Sequence, residues 1–186
     1  HTPRSLGLSI SAPELPAGLA PRLAAAERLA EVLGGARFSP FGAGEIADPR
    51  DRALANRLVT TALRRQGHLS AVLAELLARG LPPRAGRFEA ILRLGLAQLL
   101  YLPDIGDHSA IFLAVESVKR DRRAAHLAKL ANGVLRRAQA RAEEFRRLPT
   151  DLLLPETLRA RWADAYGAAA VEGFGRALLE GAPLDL

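Results

Sequence analysis

Ten basic residues crowd the stretch from 119 to 147: Lys119, Arg120, Arg122, Arg123, Lys129, Arg136, Arg137, Arg141, Arg146 and Arg147. Only Asp121, Glu143 and Glu144 oppose them, so the stretch carries +7 against +6 for the whole chain. The chemistry open to such a cluster is phosphate binding. Lys119 and Lys129 are the only lysines among 26 basic residues, and the arginine fork matches phosphate bidentately where an ammonium cannot. A polyanionic partner follows, with nucleic acid first. Translation from GC-rich DNA would also replace lysine by arginine, but it explains neither the net excess nor the clustering.

The rows sharpen this reading. Lys129, Arg136 and Arg147 fall on one line of a helix, opposite its apolar stripe, with Arg137 beside them. Arg50, Arg57 and Arg64 recur every seven residues outside a Leu54/Leu58/Val59 face. Such rows can track a phosphate backbone; the alternative is a solvated face that serves only solubility. Lys119, Arg120, Arg122, Arg123, Arg136 and Arg137 are the RNA-contact candidates, with Arg50, Arg57 and Arg64 behind them.

Catalytic chemistry is not indicated. There is no cysteine, hence no disulfide framework, thiolate metal site or cysteine nucleophile. His68, His108 and His126 have no metal-ligand spacing. His108 follows Asp107 at a helix start, which favours a helix-terminus role over general-base work. Aromatic residues are few and none interleaves with the basic clusters, so shape and phosphate contacts should outweigh base stacking. No stretch has the roughly eighteen apolar residues of a membrane span, and the start "HTPRSLGLSISAPELPAGLAP" lacks the pattern of a signal peptide. A cytoplasmic protein without a membrane partner is the expectation. His1 in place of a methionine suggests an artificial boundary.

Elements that could position these arginines are helical throughout, with no period-2 pattern. Residues 1–20 read as a flexible Pro-rich lead. A first helix is expected over 21–33, opened by Pro21 and stopped by Gly34-Gly35. After a loop over 36–47, Asp48-Pro49 signals a second helix running to about Gln66 and stopped by Gly67. Ser70 can cap a third, ending at "RGLPPRAG". "RFEAILRLGLAQLLYL" is apolar on nearly every face and should be the central helix, with Gly95 admitting a close neighbour and Pro103 ending it. Asp107 can cap a helix over 108–120, and a long helix over 124–147 follows.

That long helix contains Asn132-Gly133, a strong turn signal. Yet Leu127, Leu130, Ala131, Val134, Ala138, Ala142 and Phe145 keep one stripe at the helical period, which a turn would break. Asn132 and Gly133 are therefore read as helical, at a cost of about 1 kcal/mol for the glycine. A close helix crossing there, with the Asn132 amide bonded to it, is the expected compensation. Pro149 and Pro155 mark a break before two short helices, about 155–166 and 168–181, separated by Gly167. Trp162 and Tyr166, one turn apart, should anchor this tail on the main bundle or meet a neighbouring domain.

Taken together, "ILRLGLAQLLYLPDIGDHSAIFLAVESVKRD…LAKLANGVLRR" resembles the NusB family, as do "DPRDRALANRLVTTALRR" and the Gly-x-Leu-Ser that follows. The resemblance covers about residues 21–141 and implies an all-α RNA-binding fold of two packed three-helix bundles. It also implies RNA contacts at the start of the first helix, where Arg22 is the candidate and Arg28 a second. The tail "LPETLRARWADAYGAAAVEGFGRALLEGAPLDL" is similar to the connector that follows the NusB-like domain in Sun-type (RsmB-type) 16S rRNA cytosine-5 methyltransferases. This divides the chain into a lead over 1–20, an RNA-binding domain over 21–148 and a two-helix connector over 149–186. It implies an rRNA-docking module that needs no cofactor itself. S-adenosylmethionine and the chemistry, which in that family uses cysteine, would belong to a catalytic domain linked in cis. A free-standing antitermination factor binding leader RNA and a ribosomal protein is the alternative, and a protein-interaction module a third. Phe112 and Leu113 stand where relatives carry Asn-Glu, so this face is expected to be covered by the tail, a second copy in a homodimer, the catalytic domain, or a slight rotation into the core.

Overall fold

The computed structural model describes residues 14–180, and no β-strand occurs among them. The expected lead lies largely outside them, as does the closing Pro-Leu-x-Leu of the tail. Nine α-helices follow in order: α1 Leu19–Leu33, α2 Pro49–Arg64, α3 Gln66–Leu76, α4 Phe88–Tyr101, α5 Asp107–Arg120, α6 Ala128–Ala140, α7 Ala142–Arg146, α8 Glu156–Tyr166 and α9 Ala168–Glu180.

α4 is the axis of the fold. Of its 14 residues, 12 are buried, Arg93 and Gln98 among them. A helix without a polar face must be enclosed, and α1, α2, α5, α6 and α7 enclose it. Burial of each large side chain on it, such as Leu92, Leu96 and Leu99, contributes about 1.5–3 kcal/mol. Gly95 sets the spacing: a Cβ there would stand 3.1 Å from Leu135 of α6 and 3.3 Å from Ala114 of α5. α4, α5 and α6 thus form a tight three-helix bundle, against which α1 and α2 pack as a pair and α3 leans from the side.

Two polar networks lock the bundle. Arg22 of α1 is buried, donating through Nη1 to the Gly18 carbonyl at 2.8 Å and through Nη2 to Gln98 Oε1 at 2.9 Å. Gln98 Nε2 in turn donates to the Gly106 carbonyl and to Ser109 Oγ, both at 3.0 Å. One chain of hydrogen bonds therefore joins the starts of α1 and α5 to the last turn of α4, and burial pulls the Arg22 guanidinium below its ordinary pKa. Arg93, also buried, reaches Glu89, the Gln66 carbonyl and Ser70 Oγ, tying α4 to α3.

Helix boundaries follow the capping chemistry, with corrections. Asp48 accepts from the backbone N–H groups of Arg50 and Asp51, as its position before Pro49 requires. Gly67, however, lies inside α3 and does not stop α2: the Leu152 carbonyl oxygen packs 1.8 Å from where its Cβ would be, so backbone approach accounts for this glycine. Ser70 is no cap either, since its hydroxyl serves Arg93 within α3. At α5 the N-cap is Gly106, at φ 88°; Asp107 is the first helical residue, near the positive end of the helix dipole.

The expected long helix is interrupted, but not at Asn132-Gly133. Both are helical, and the break falls at Arg141, where α6 gives way to α7. The crossing expected at Asn132 and Gly133 is absent: no atom of another element lies within 4 Å of a Gly133 Cβ, and Asn132 is exposed. Gly133 leaves that turn of α6 open toward solvent, and no packing compensates its cost.

The tail is joined to the bundle through the short turn Thr150–Leu153, not through its aromatic residues. That turn is wedged between two glycines, with the Leu152 carbonyl against Gly67 of α3 and the Thr150 carbonyl 2.0 Å from a Gly175 Cβ on α9. His68 Nε2 donates to the Pro149 carbonyl at 2.8 Å, while Thr150 Oγ1 donates to the Glu172 carbonyl at 2.9 Å. Trp162 and Tyr166 instead meet Phe174 edge-on, at 5.2 and 6.0 Å, so they join α8 to α9. On α5, Leu113 is buried, whereas Phe112 is 47 % exposed and stacks on His108, so the described residues leave Phe112 partly uncovered.

Candidate nucleic-acid interface

The basic stretch folds so that its charges divide into two sets. Arg146 donates to the Leu99 and Leu100 carbonyls, capping the C-terminal end of α4, and pairs with Glu143. Arg141 bridges Glu75 and Glu144 and lies over the Phe145 ring. Lys119 and Arg120 share Glu116 at 2.8 and 2.7 Å, and these hydrogen bonds hold its carboxyl below the usual range. Arg122, Arg123, Lys129, Arg136, Arg137 and Arg147 are exposed and have no ion pair among the described residues.

Asp121 explains how the second set stays free at its densest point. α5 ends there, and the carboxylate turns inward: Oδ2 accepts from the Arg87 backbone N–H at 2.8 Å, Oδ1 from that of Arg123 at 2.9 Å. Burial pushes this carboxyl up, but the N–H groups of Arg87 and Arg123 and the Arg87 charge outweigh it and hold it ionised below the usual carboxylate range. Gly86, at φ 55°, makes room, since a Cβ there would lie 2.5 Å from Asp121 Oδ1. Asp121 thus bonds to backbone donors, and the Arg122 and Arg123 guanidinium groups have no ion pair among the described residues. Arg87, Arg120, Arg122 and Arg123 surround it in a shallow open cleft with Gly86. Arg87 pairs with Glu27 at 3.1 Å, but both are about half exposed, and such a surface pair is worth little and can yield to a phosphate.

Other candidates lie elsewhere. Arg136 and Arg137 project from α6, with Arg137 beside a second depression formed with the α3–α4 loop. Arg50 and Arg64 are exposed on α2 without an ion pair among the described residues. Arg57 is held by Asp104 in a two-pronged pair at 2.6 and 2.8 Å. Arg28 is drawn onto the Phe41 ring and bonds to Ser39 and Glu45, anchoring the loop before α2. Arg22 is internal and cannot meet a ligand at the surface. Arg87 was not among the sequence candidates; the signal was "ARGLPPRAGRF", where Arg79, Arg84 and Arg87 recur in a Gly/Pro-rich loop.

Residues 21–140 match the NusB family. The chain belongs to that family. Among curated proteins it is similar to the ribosomal RNA small subunit methyltransferase B of Xanthomonas campestris pv. campestris, 38 % identical over 166 residues, 84 % of this chain and 37 % of the relative. It is also similar to the protein of that name from Thermus thermophilus, 44 % identical over 139 residues, 73 % of this chain and 31 % of the relative. The chain thus spans about a third of the length of these relatives. The NusB-like, all-helical part is what they share with it, and the match to the Xanthomonas protein is longer than the NusB match alone.

Proposed function

We propose that this chain is the RNA-binding module of an rRNA cytosine-5 methyltransferase and docks that enzyme on small-subunit rRNA in the cytoplasm. The observation that carries this is the placement of Asp121, whose carboxylate accepts from the Arg87 and Arg123 N–H groups while Arg122 and Arg123 face solvent without an ion pair among the described residues. Two exposed guanidinium groups without an ion pair among the described residues, beside the more weakly paired Arg87 and Arg120, are what phosphate contact needs. Residues 21–148 would bind RNA, with Arg87, Arg120, Arg122 and Arg123 at the centre and Arg136 and Arg137 alongside. Residues 149–186 would lead to the catalytic domain in cis. S-adenosylmethionine, the cofactor such an enzyme would use, we assign to that other domain.

The similarity to the Xanthomonas methyltransferase over a stretch longer than the NusB match favours this reading over a free-standing antitermination factor. Titration with a small-subunit rRNA fragment at several salt concentrations tests it. Affinity should fall by roughly 0.7–0.9 log units per log unit of salt for each phosphate neutralised. Little RNA binding at any salt would instead mark a protein-interaction module. Reading the gene past residue 186 separates the methyltransferase module from the free-standing factor.

A further inference from the structure

The loop between α3 and α4 carries two differently built depressions. Its C-terminal end, at Gly86 and Arg87, forms one wall of the arginine cleft. Its N-terminal part forms a groove of about 580 Å³, floored by Leu77, Leu81, Pro82 and Leu130 of α6, with Arg79 and Arg137 at its rim. That volume is in the range of sites that take a small organic group. Among the described residues no carboxylate lines the groove, and both rim arginines are exposed. Between the depressions stands Arg84, exposed and held at φ 56°, a conformation a non-glycine residue seldom adopts. From Pro83 to Gly86 the chain can span at most about 10 Å, so one ligand strand can reach both.

We propose that the groove receives an unstacked base of a single-stranded RNA segment, whose flanking phosphates lie on Arg137 and in the Arg87/Arg122/Arg123 cleft. This rests on the RNA-binding reading above and extends it from charge to the form of RNA recognised. An apolar floor rimmed only by cations fits an aromatic heterocycle on an anionic backbone. Bases in a duplex are paired and stacked and cannot enter, so the site selects unpaired RNA. Among the described residues no aromatic side chain lines the groove, so the base is held by burial against leucine and proline. Sequence preference should accordingly be weak.

A fluorescence titration of the chain tests this with a 12-nucleotide single-stranded RNA of mixed sequence, the same RNA annealed to its complement, and an abasic strand of equal length. Wild type should bind the single strand at least fivefold more tightly than the duplex. The neutral variants Leu130→Ser and Leu81→Ser should each lose about fivefold to tenfold on the single strand, bind the abasic strand as wild type does, and keep the wild-type salt dependence. Either variant alone, confirmed folded by its thermal melt, suffices. Salt-dependent RNA binding by wild type, with both folded variants binding the single strand equally well, overturns the base site alone; a groove built for a peptide would give this result. Absence of RNA binding by wild type at any salt overturns the RNA-binding reading as well.

Discussion

The Asp121 carboxylate and the Arg87 backbone N–H, 34 residues apart, meet at 2.8 Å and fasten the α3–α4 loop to the end of α5. The same carboxylate accepts from the Arg123 N–H. An acid within an arginine cluster ordinarily weakens the attraction for phosphate; here it builds the cluster.

The two effects predict opposite outcomes for Asp121→Ala. Removing a negative charge should tighten RNA binding by simple electrostatics. Releasing the loop should scatter Arg87 and Arg123 and weaken it. We expect the second to win, with a threefold to tenfold loss of RNA affinity and about 0.5–1.5 kcal/mol lower stability from the lost, solvent-exposed hydrogen bonds. Titration and thermal melts on the same preparation measure both; tighter binding would mean that Asp121 acts only as a counter-charge.

Arg22→Ala separates architecture from recognition. Its loss leaves Gln98 Oε1 and the Gly18 carbonyl without their donor. Stability should fall by about 2–3 kcal/mol, lowering Tm by roughly 5–10 °C. RNA affinity of the folded variant should stay within twofold of wild type.

The tail's seat is set by backbone approach. Gly175→Ala would place a methyl group 2.0 Å from the Thr150 carbonyl, and Gly67→Ala one 1.8 Å from that of Leu152. Neither neighbour is a flexible side-chain end, so the turn must shift. Overpacking of this kind costs about 1–3 kcal/mol. We expect faster proteolysis between residues 150 and 168 in both variants, with the α4–α6 bundle still protected.

His68 makes that seat sensitive to acid. Burial lowers its pKa below 6.5; the Pro149 carbonyl opposes this and the Arg65 charge adds to it. Nδ1 faces the Arg65 guanidinium at 3.2 Å, so neutral imidazole, donating from Nε2 and accepting at Nδ1, fits both partners. The unfolded chain therefore takes up a proton at higher pH than the folded one. The contribution of His68 is complete above pH 6.5 and is lost as pH falls through its lower folded-state pKa. Tm should decline between pH 7 and 5, and His68→Gln should remove much of that decline.

Much of the scaffold is legible in the order of residues. α4 declares itself by being apolar all round, α2 by Asp48-Pro49, and the Asn132-Gly133 pair stays helical because the stripe through Val134 and Ala138 does not change phase. What the sequence does not display is what each polar group faces. Arg22 and Arg122 are the same residue type near helix ends, yet one is sealed by Gln98 and the other open to solvent. Arg57 stands in a regular row but is taken by Asp104, 47 residues away. Gly67 looks like a helix stop because the carbonyl that requires it comes from Leu152, on a distant turn. Long-range pairing decides each of these, and local spacing carries no record of it.

The salt dependence of RNA affinity, measured for wild type, the Arg122→Ala/Arg123→Ala double variant and Arg57→Ala with one small-subunit rRNA fragment, tests the central claim most directly. Wild type should give a steep linear plot of log K against log salt. The double variant should be flatter by about 1.4–1.8, the share of two phosphates, and Arg57→Ala should match wild type. A double variant with the wild-type slope would show that the arginines around Asp121 do not hold RNA, and the proposed interface would fall.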